Sequence, residues 1–228
     1  MSWTALVPIK SPGDRKSRLA ALLSQDERVR LSDFMFWHVL GVLQQVPSIS
    51  QIAVISAELP PGWKGRWIVD TGRGLNAELQ SASAAFGRNI LVIHADLPAL
   101  TVDDVDALLA AAERETKDAK GQGVAIAPDR HQSGTNAVAV EDASDFRFSF
   151  GARSFAKHCT IAAERGTTVC RDGLALDVDF PDDLNLALER GVLARWRAAG
   201  VDQSRATWPE SEWSLDRGHF AVAALGSN

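Results

Sequence analysis

Residues 90–98 read Ile-Leu-Val-Ile-His-Ala-Asp-Leu-Pro. Four apolar residues in a row, too few for a helix and rich in β-branched side chains, predict a strand buried on both faces. The run ends in a carboxylate, Asp96. An acidic group at the end of a buried strand loses hydration unless something replaces the water, and a hydrated divalent cation is one such partner. A turn or helix-cap aspartate would look the same in sequence.

Outward from this strand the pattern repeats. Residues 4–9 (TALVPI), 52–55 (IAVI), 67–69, 124–127 and 137–140 also read as short buried strands. Helical stretches separate most of them. Ser24 with Glu27 has capping-box spacing before a helix with Val29, Leu31, Phe34, Met35, Val39 and Val42 on one stripe. Residues 76–86, a segment opened by Thr101 and Asp104, 154–165 and 181–197 complete the helical set, with Pro181, Asp182 and Asp183 suiting a first turn. Residues 167–170 form a short β-like run, and 175–178 are expected to bring Asp177 and Asp179 to a strand end. Strands alternating with helices predict an α/β three-layer sandwich with a mostly parallel central sheet. In such sheets ligands bind beyond the carboxyl ends of the strands, at the switch in strand order.

With 228 residues, 46% of them hydrophobic, the chain can build one α/β domain with an appendage. We place the domain at 1–199 and an extension at 200–228. The extension holds Trp208, Trp213 and Phe220 without helical or strand period, and these are expected to dock on the protein or on a second subunit. A net charge of −5 excludes a global basic field for nucleic acid. No run of about 18 apolar residues predicts a membrane span, and no leader is visible, so a cytoplasmic protein is expected. Two cysteines, Cys159 and Cys170, suit a reducing compartment, and burial is expected for both. A homodimer is open to it.

The unusual residues cluster after the strands. Lys10, Arg15, Lys16 and Arg18 follow the first strand, where lysine offers a point charge and arginine a fork of donors to a triphosphate. A solvated basic loop is the plain alternative. Asp177 and Asp179, two apart, would face one side and could share a cation with Asp96; alternatively Asp179 caps the helix that follows. Gly72-Arg73-Gly74 allows close backbone approach, and Asn76 would read a base edge or cap a helix. Arg130, His131, Thr135 and Asn136 form a polar cluster between two strands. Gly151, Arg153 and Ser154 open a helix whose free N–H groups suit an anion. His38, His158 and the tryptophans read as packing or surface residues.

In order, residues 8–10 (PIK), 16–19 (KSRL), 74–79 (GLNAEL), 94–98 (HADLP), 127–137 (APDRHQSGTNA), 150–155 (FGARSF) and 173–184 (GLALDVDFPDDL) resemble the 2-phospholactate guanylyltransferase family of coenzyme F420 assembly. The resemblance covers residues 5–188. It implies a nucleotidyltransferase fold similar to the molybdenum-cofactor guanylyltransferases, and GMP transfer from GTP to 2-phospholactate, phosphoenolpyruvate or 3-phosphoglycerate. It also implies Mg2+ on Asp96 and Asp177, with Asp179 beside them. Thr135, Gly151 and Ser154, joined by Arg130, would hold the acid. Lys10, Lys16, Arg18, Gly74, Asn76 and His94 would lie on the nucleotide side. Two departures stand out: Arg73 replaces a smaller residue, and the segment after Arg190 has no counterpart. A transferase for a molybdopterin or sugar phosphate would open on a Gly-rich loop, which Pro8-Ile9-Lys10 is not. A nucleotide-binding module without catalysis would not need Asp96 and Asp177.

Overall fold

The computed structural model describes residues 1–11, 13, 15–118 and 123–199. The extension at 200–228, with its expected docked aromatics, lies outside the described residues. The strands are β1 (Trp3–Pro8), β2 (Ile49–Ser56), β3 (Arg66–Val69), β4 (Ile90–Ile93), β5 (Val124–Pro128), β6 (Thr135–Val140) and β7 (Gly166–Thr168). The helices are α1 (Gln25–Gln45), α2 (Leu75–Phe86), α3 (Val102–Asp118), α4 (Ser154–Ala162), α5 (Asp172–Ala175), α6 (Pro181–Glu189) and α7 (Ala194–Ala199).

One seven-stranded sheet runs in the order β3-β2-β1-β4-β6-β5-β7. All strands are parallel except β6, which is antiparallel to both β4 and β5. Period-two alternation in buried strands feeds two cores. Ala5, Val7, Leu91 and Ile93 face α1 and α3, where Phe36, Leu40, Val105 and Leu108 meet them. Leu6, Ile90 and Val92 face the other side, against Leu79 and Ala82 of α2, Ala162 of α4 and the alternating Phe146, Phe148 and Phe150. Helices on both faces give the three-layer sandwich expected.

The chain leaves β1, builds β2 and β3 on one side, then returns to place β4 on the other. The switch point therefore lies between β1 and β4, and the loops after them carry the basic cluster and Asp96. Because β6 runs backwards, its first residues Thr135 and Asn136 lie at the same edge; the His94 N–H donates to the Asn136 carbonyl at 2.9 Å.

Three expectations need correction. Residues 176–180 form no strand. They follow α5 as irregular chain, because the Val178 N–H has the Asp96 carbonyl as its partner (3.3 Å) rather than a strand ladder. The helix expected over 181–197 breaks after Glu189: Gly191 sits at φ 73, a left-handed conformation that ends α6 before α7 starts. Cys159 is half-buried on α4, but Cys170 is exposed just past the short strand β7; both are free. The capping box at Ser24 and Glu27 forms as expected, and Trp3 and Trp63 are buried.

Candidate active site

A small third core builds the site from below. Leu19, Leu31, Met35, Leu176, Val178 and Leu184 pack together between the basic loop, α1 and the start of α6. Leu19 anchors the loop that carries Lys16 and Arg18. Leu176 and Val178 point into this core, so Asp177 and Asp179 between and beyond them point the other way, toward Asp96. Carboxylate oxygens of Asp96, Asp177 and Asp179 lie within 4.8 Å of one another.

Lys16 is the immediate counter-charge. Its Nζ donates to Asp96 Oδ2 at 2.5 Å and to Asp179 Oδ1 at 2.9 Å. Its backbone is left-handed at φ 52, an uncommon conformation for a side-chain-bearing residue that aims the ammonium inward. Arg18 donates to Asp179 Oδ2 at 3.1 Å and lies over the exposed Phe180 ring at 4.6 Å. Arg15 is paired instead with Asp33 on α1, and Lys10 is exposed. The structure thus brings Lys16 and Arg18 to the acidic group, whereas the Lys10 side chain lies on the surface.

Burial lowers the proton affinity of an isolated lysine, but Asp96 and Asp179 outweigh it and the Lys16 ammonium is held above its ordinary pKa. Burial opposes ionisation of Asp96; Lys16 and then His94 reverse this and leave its carboxyl below the usual range. Among the described residues, Asp177 has no cation paired with it as Lys16 is with Asp96. Burial and the nearby Asp96 push it up to about 7, against the Asn136 amide that donates to its Oδ1 at 3.1 Å. Among the described residues, the buried Asp96 Oδ1 has no hydrogen-bond partner. Three converging carboxylates, one with an unpartnered buried oxygen and one that resists ionisation, form a hard oxygen donor set suited to a divalent cation.

Asp179 does not cap α6. Asp183 does so from the third helical position, accepting from the Asp179 and Phe180 N–H groups at 3.1 and 2.7 Å. Asp183 also pairs with Arg130 at 2.6 Å, so the guanidinium expected to hold a ligand ties the 129–134 hairpin to α6.

Asn76 departs from both readings of its sequence. The N-cap of α2 is Gly74, at φ 95. The Asn76 amide is engaged at both ends by one residue: Nδ2 donates to the Phe150 carbonyl at 3.0 Å, and the Phe150 N–H donates to Oδ1 at 2.7 Å. The glycine loop is shaped by Glu78, which sequence reasoning missed. Arg73 holds its carboxyl far down, to about 2, and Thr71 donates to it at 2.7 Å. Arg73, a departure from the resembled family, is therefore the counter-ion of a buried glutamate.

Thr135 and Ser154 are buried beside the Phe148–Arg153 segment, and Gly151 turns it at φ 111. The N–H groups expected to be free at the start of α4 are partly used: Ser154 donates to Gly151 at 3.1 Å and Phe155 to Ser133 at 3.2 Å. His158 is fully buried and polar in its work. The Ser149 N–H donates to its Nε2 at 3.0 Å, so Nδ1 carries the ring proton and faces Thr135 Oγ1 at 3.0 Å. Burial pushes its pKa down to about 4, which keeps the ring neutral. A lone histidine about one helical turn past Ser154, in a helical pattern, gives no sequence signal for this. His94 is half-buried; burial lowers its pKa, and its ring lies 5.2 Å from that of Phe150.

A family profile described as "Guanylyl transferase CofC like" matches residues 3–191. A phosphoenolpyruvate guanylyltransferase of Sphaerobacter thermophilus is 34% identical over 202 residues, covering 81% of this chain and 91% of that protein. A 2-phospho-L-lactate guanylyltransferase of Methanopyrus kandleri is 31% identical, covering 87% of this chain and 96% of its own. Among solved structures, a protein of Desulfovibrio desulfuricans described as a nucleotide-diphospho-sugar transferase superposes with a TM-score of 0.65 at 18% identity, covering 88% of this chain and 96% of that one. CMP:2-keto-3-deoxy-manno-octonic acid synthetase complexed with CTP gives 0.52 at 14% identity, over 87% and 100%. These two share the fold. The profile match over most of the chain, and relatives above 30% identity along nearly their whole length, show that the chain belongs to the CofC-like guanylyl transferase family.

Proposed function

We propose that this protein transfers GMP from GTP to a small phosphorylated acid, releasing pyrophosphate, as a step of coenzyme F420 assembly. The acid is 3-phospho-D-glycerate, phosphoenolpyruvate or 2-phospho-L-lactate. The observation that carries this reading is the group of Asp96, Asp177 and Asp179 facing Lys16 and Arg18 at the switch point of the sheet. The names of the relatives support the guanylyl donor and the acid class.

The three aspartates fit Mg2+, by the unpartnered Asp96 oxygen and the all-oxygen donor set. When bound, Mg2+ offsets triphosphate charge and polarises the α-phosphate. The chain's own residues then have defined tasks. Lys16 and Arg18 supply cationic donors to the leaving pyrophosphate. Asn136 holds Asp177 in place through its amide. Thr135, Gly151 and Ser154 hold the acid: with His158 Nδ1–H directed at its oxygen, the Thr135 hydroxyl keeps its own proton to donate. The acceptor phosphate is already ionised, so no side-chain nucleophile is needed. Catalysis is alignment and charge stabilisation.

The test is pyrophosphate release across GTP, ATP, CTP and UTP, each with the three acids. We expect release with GTP and at least one acid, and a lower kcat/KM with ATP. Tight GTP binding without release for any acid would replace the enzyme with a binding module.

A further inference from the structure

Asn76 belongs by sequence to the glycine loop 72–76, yet its side chain serves a residue 74 positions away. Both polar atoms of its amide are spent on the backbone of Phe150, in a two-bond clasp of 3.0 and 2.7 Å. An amide used at both ends has little left with which to distinguish one base from another. The clasped residue lies between Ser149, whose N–H is held by His158, and Gly151, which turns the chain. The Phe150 ring also meets His158 edge-on, with centroids 4.8 Å apart. His158 in turn reaches Thr135 at 3.0 Å. Residues 149–151 are thus fixed from two sides, by Asn76 on α2 and by His158 on α4.

We propose that Asn76 is a positioning residue for the acceptor side of the site rather than a reader of the guanine base: with His158 it sets the backbone of residues 149–151 against which the phosphorylated acid is held. The proposal rests on the function stated above, because it takes Thr135 and Gly151 as acid-holding residues. Its physical basis is geometric. Anion-holding groups on a loop act only while the loop stays in place, and a displacement of about 1 Å can cost on the order of a hundredfold in a positioned reaction. Asn76 donates to one backbone group and accepts from the next available one, which fixes both translation and rotation of the Phe150 peptide. His158 is neutral and accepts the adjacent Ser149 N–H, so the two clamps address consecutive residues.

The experiment separates the KM for the acid from the KM for GTP. Asn76→Ala should raise the KM for the acid at least tenfold while the KM for GTP and the preference for GTP over ATP stay within about threefold. From the other side, His158→Leu should give the same acid-specific rise. His158→Gln, whose amide oxygen can accept the Ser149 N–H where Nε2 does, should remain within about threefold of wild type. This pair keeps the test intact if Asn76→Ala does not fold. A rise in the GTP KM as large as that for the acid, or a loss of GTP preference, would return Asn76 to the nucleotide side and overturn the proposal. A lower Tm with both KM values unchanged would overturn it as well, by reducing the clasp to a fold contact. A wild-type protein that releases no pyrophosphate with any of the acids would overturn the functional reading itself, and this proposal with it.

Discussion

At Asp177, burial and a neighbouring carboxylate act against the charge that a cation requires. Its pKa in the fold, about 7, lies above the ordinary value, so the group contributes most to stability below pH 4, and that contribution is lost as pH rises through about 7. At pH 8 without metal the ionised group therefore destabilises the fold. Asp177→Asn keeps the shape and removes the charge. We expect a thermal melt at pH 8 in chelator to show a Tm at or above that of wild type, while turnover in limiting Mg2+ falls at least tens-fold. A folded Asp177→Asn protein with near-wild-type activity would remove this residue from the metal set. Asp96 was legible in sequence because a carboxylate ending an apolar strand is anomalous. Lys16 was legible only as a member of a basic loop, since its inward aim depends on a left-handed backbone that the residue name does not announce.

Among the elements, α5 does the least obvious work. It is four residues long, yet it delivers Asp177. Arg171 anchors it through Asp104 of α3 at 2.6 Å, and Gly173 lies so close that a Cβ would stand 2.0 Å from Asp104 Oδ2 and 2.7 Å from the Ala99 carbonyl. A backbone oxygen cannot swing aside, so Gly173→Ala should displace the segment, costing about 1–3 kcal/mol. We expect a Tm lower by several degrees, with kcat falling in parallel as Asp177 moves; unchanged melting and unchanged kcat would show that the approach is looser than the contact distances require. The same element explains why the expected strand at 175–178 is absent. Alternation of Leu176, Asp177, Val178 and Asp179 has period two, as in a strand, but the burial that produces it comes from the third core and not from a sheet partner. Apolar runs such as ILVI were readable because both faces are buried. The helix expected to Arg197 failed at Gly191, where a single φ ends it.

For the molecule as a whole, strand order converts separate motifs into one site. The loops after β1 and β4 meet because the chain changes direction between them, and the reversed β6 brings Thr135 and Asn136 to the same edge. Alternation of strands and helices made the three-layer class legible, whereas the antiparallel strand and the pairing of Asn76 with Phe150 depend on contacts distant in sequence. The central claim is that this edge joins GMP to a phosphorylated acid through a new diphosphate linkage. The direct measurement is the mass of the product from GTP, Mg2+ and each acid, with wild type and Asp177→Asn side by side. The account predicts a species with the mass of the acid plus GMP less one water, formed with one pyrophosphate per molecule by wild type and at least tens-fold more slowly by the variant. GDP and inorganic phosphate as the only products, or the same species formed at the same rate by both proteins, would contradict it.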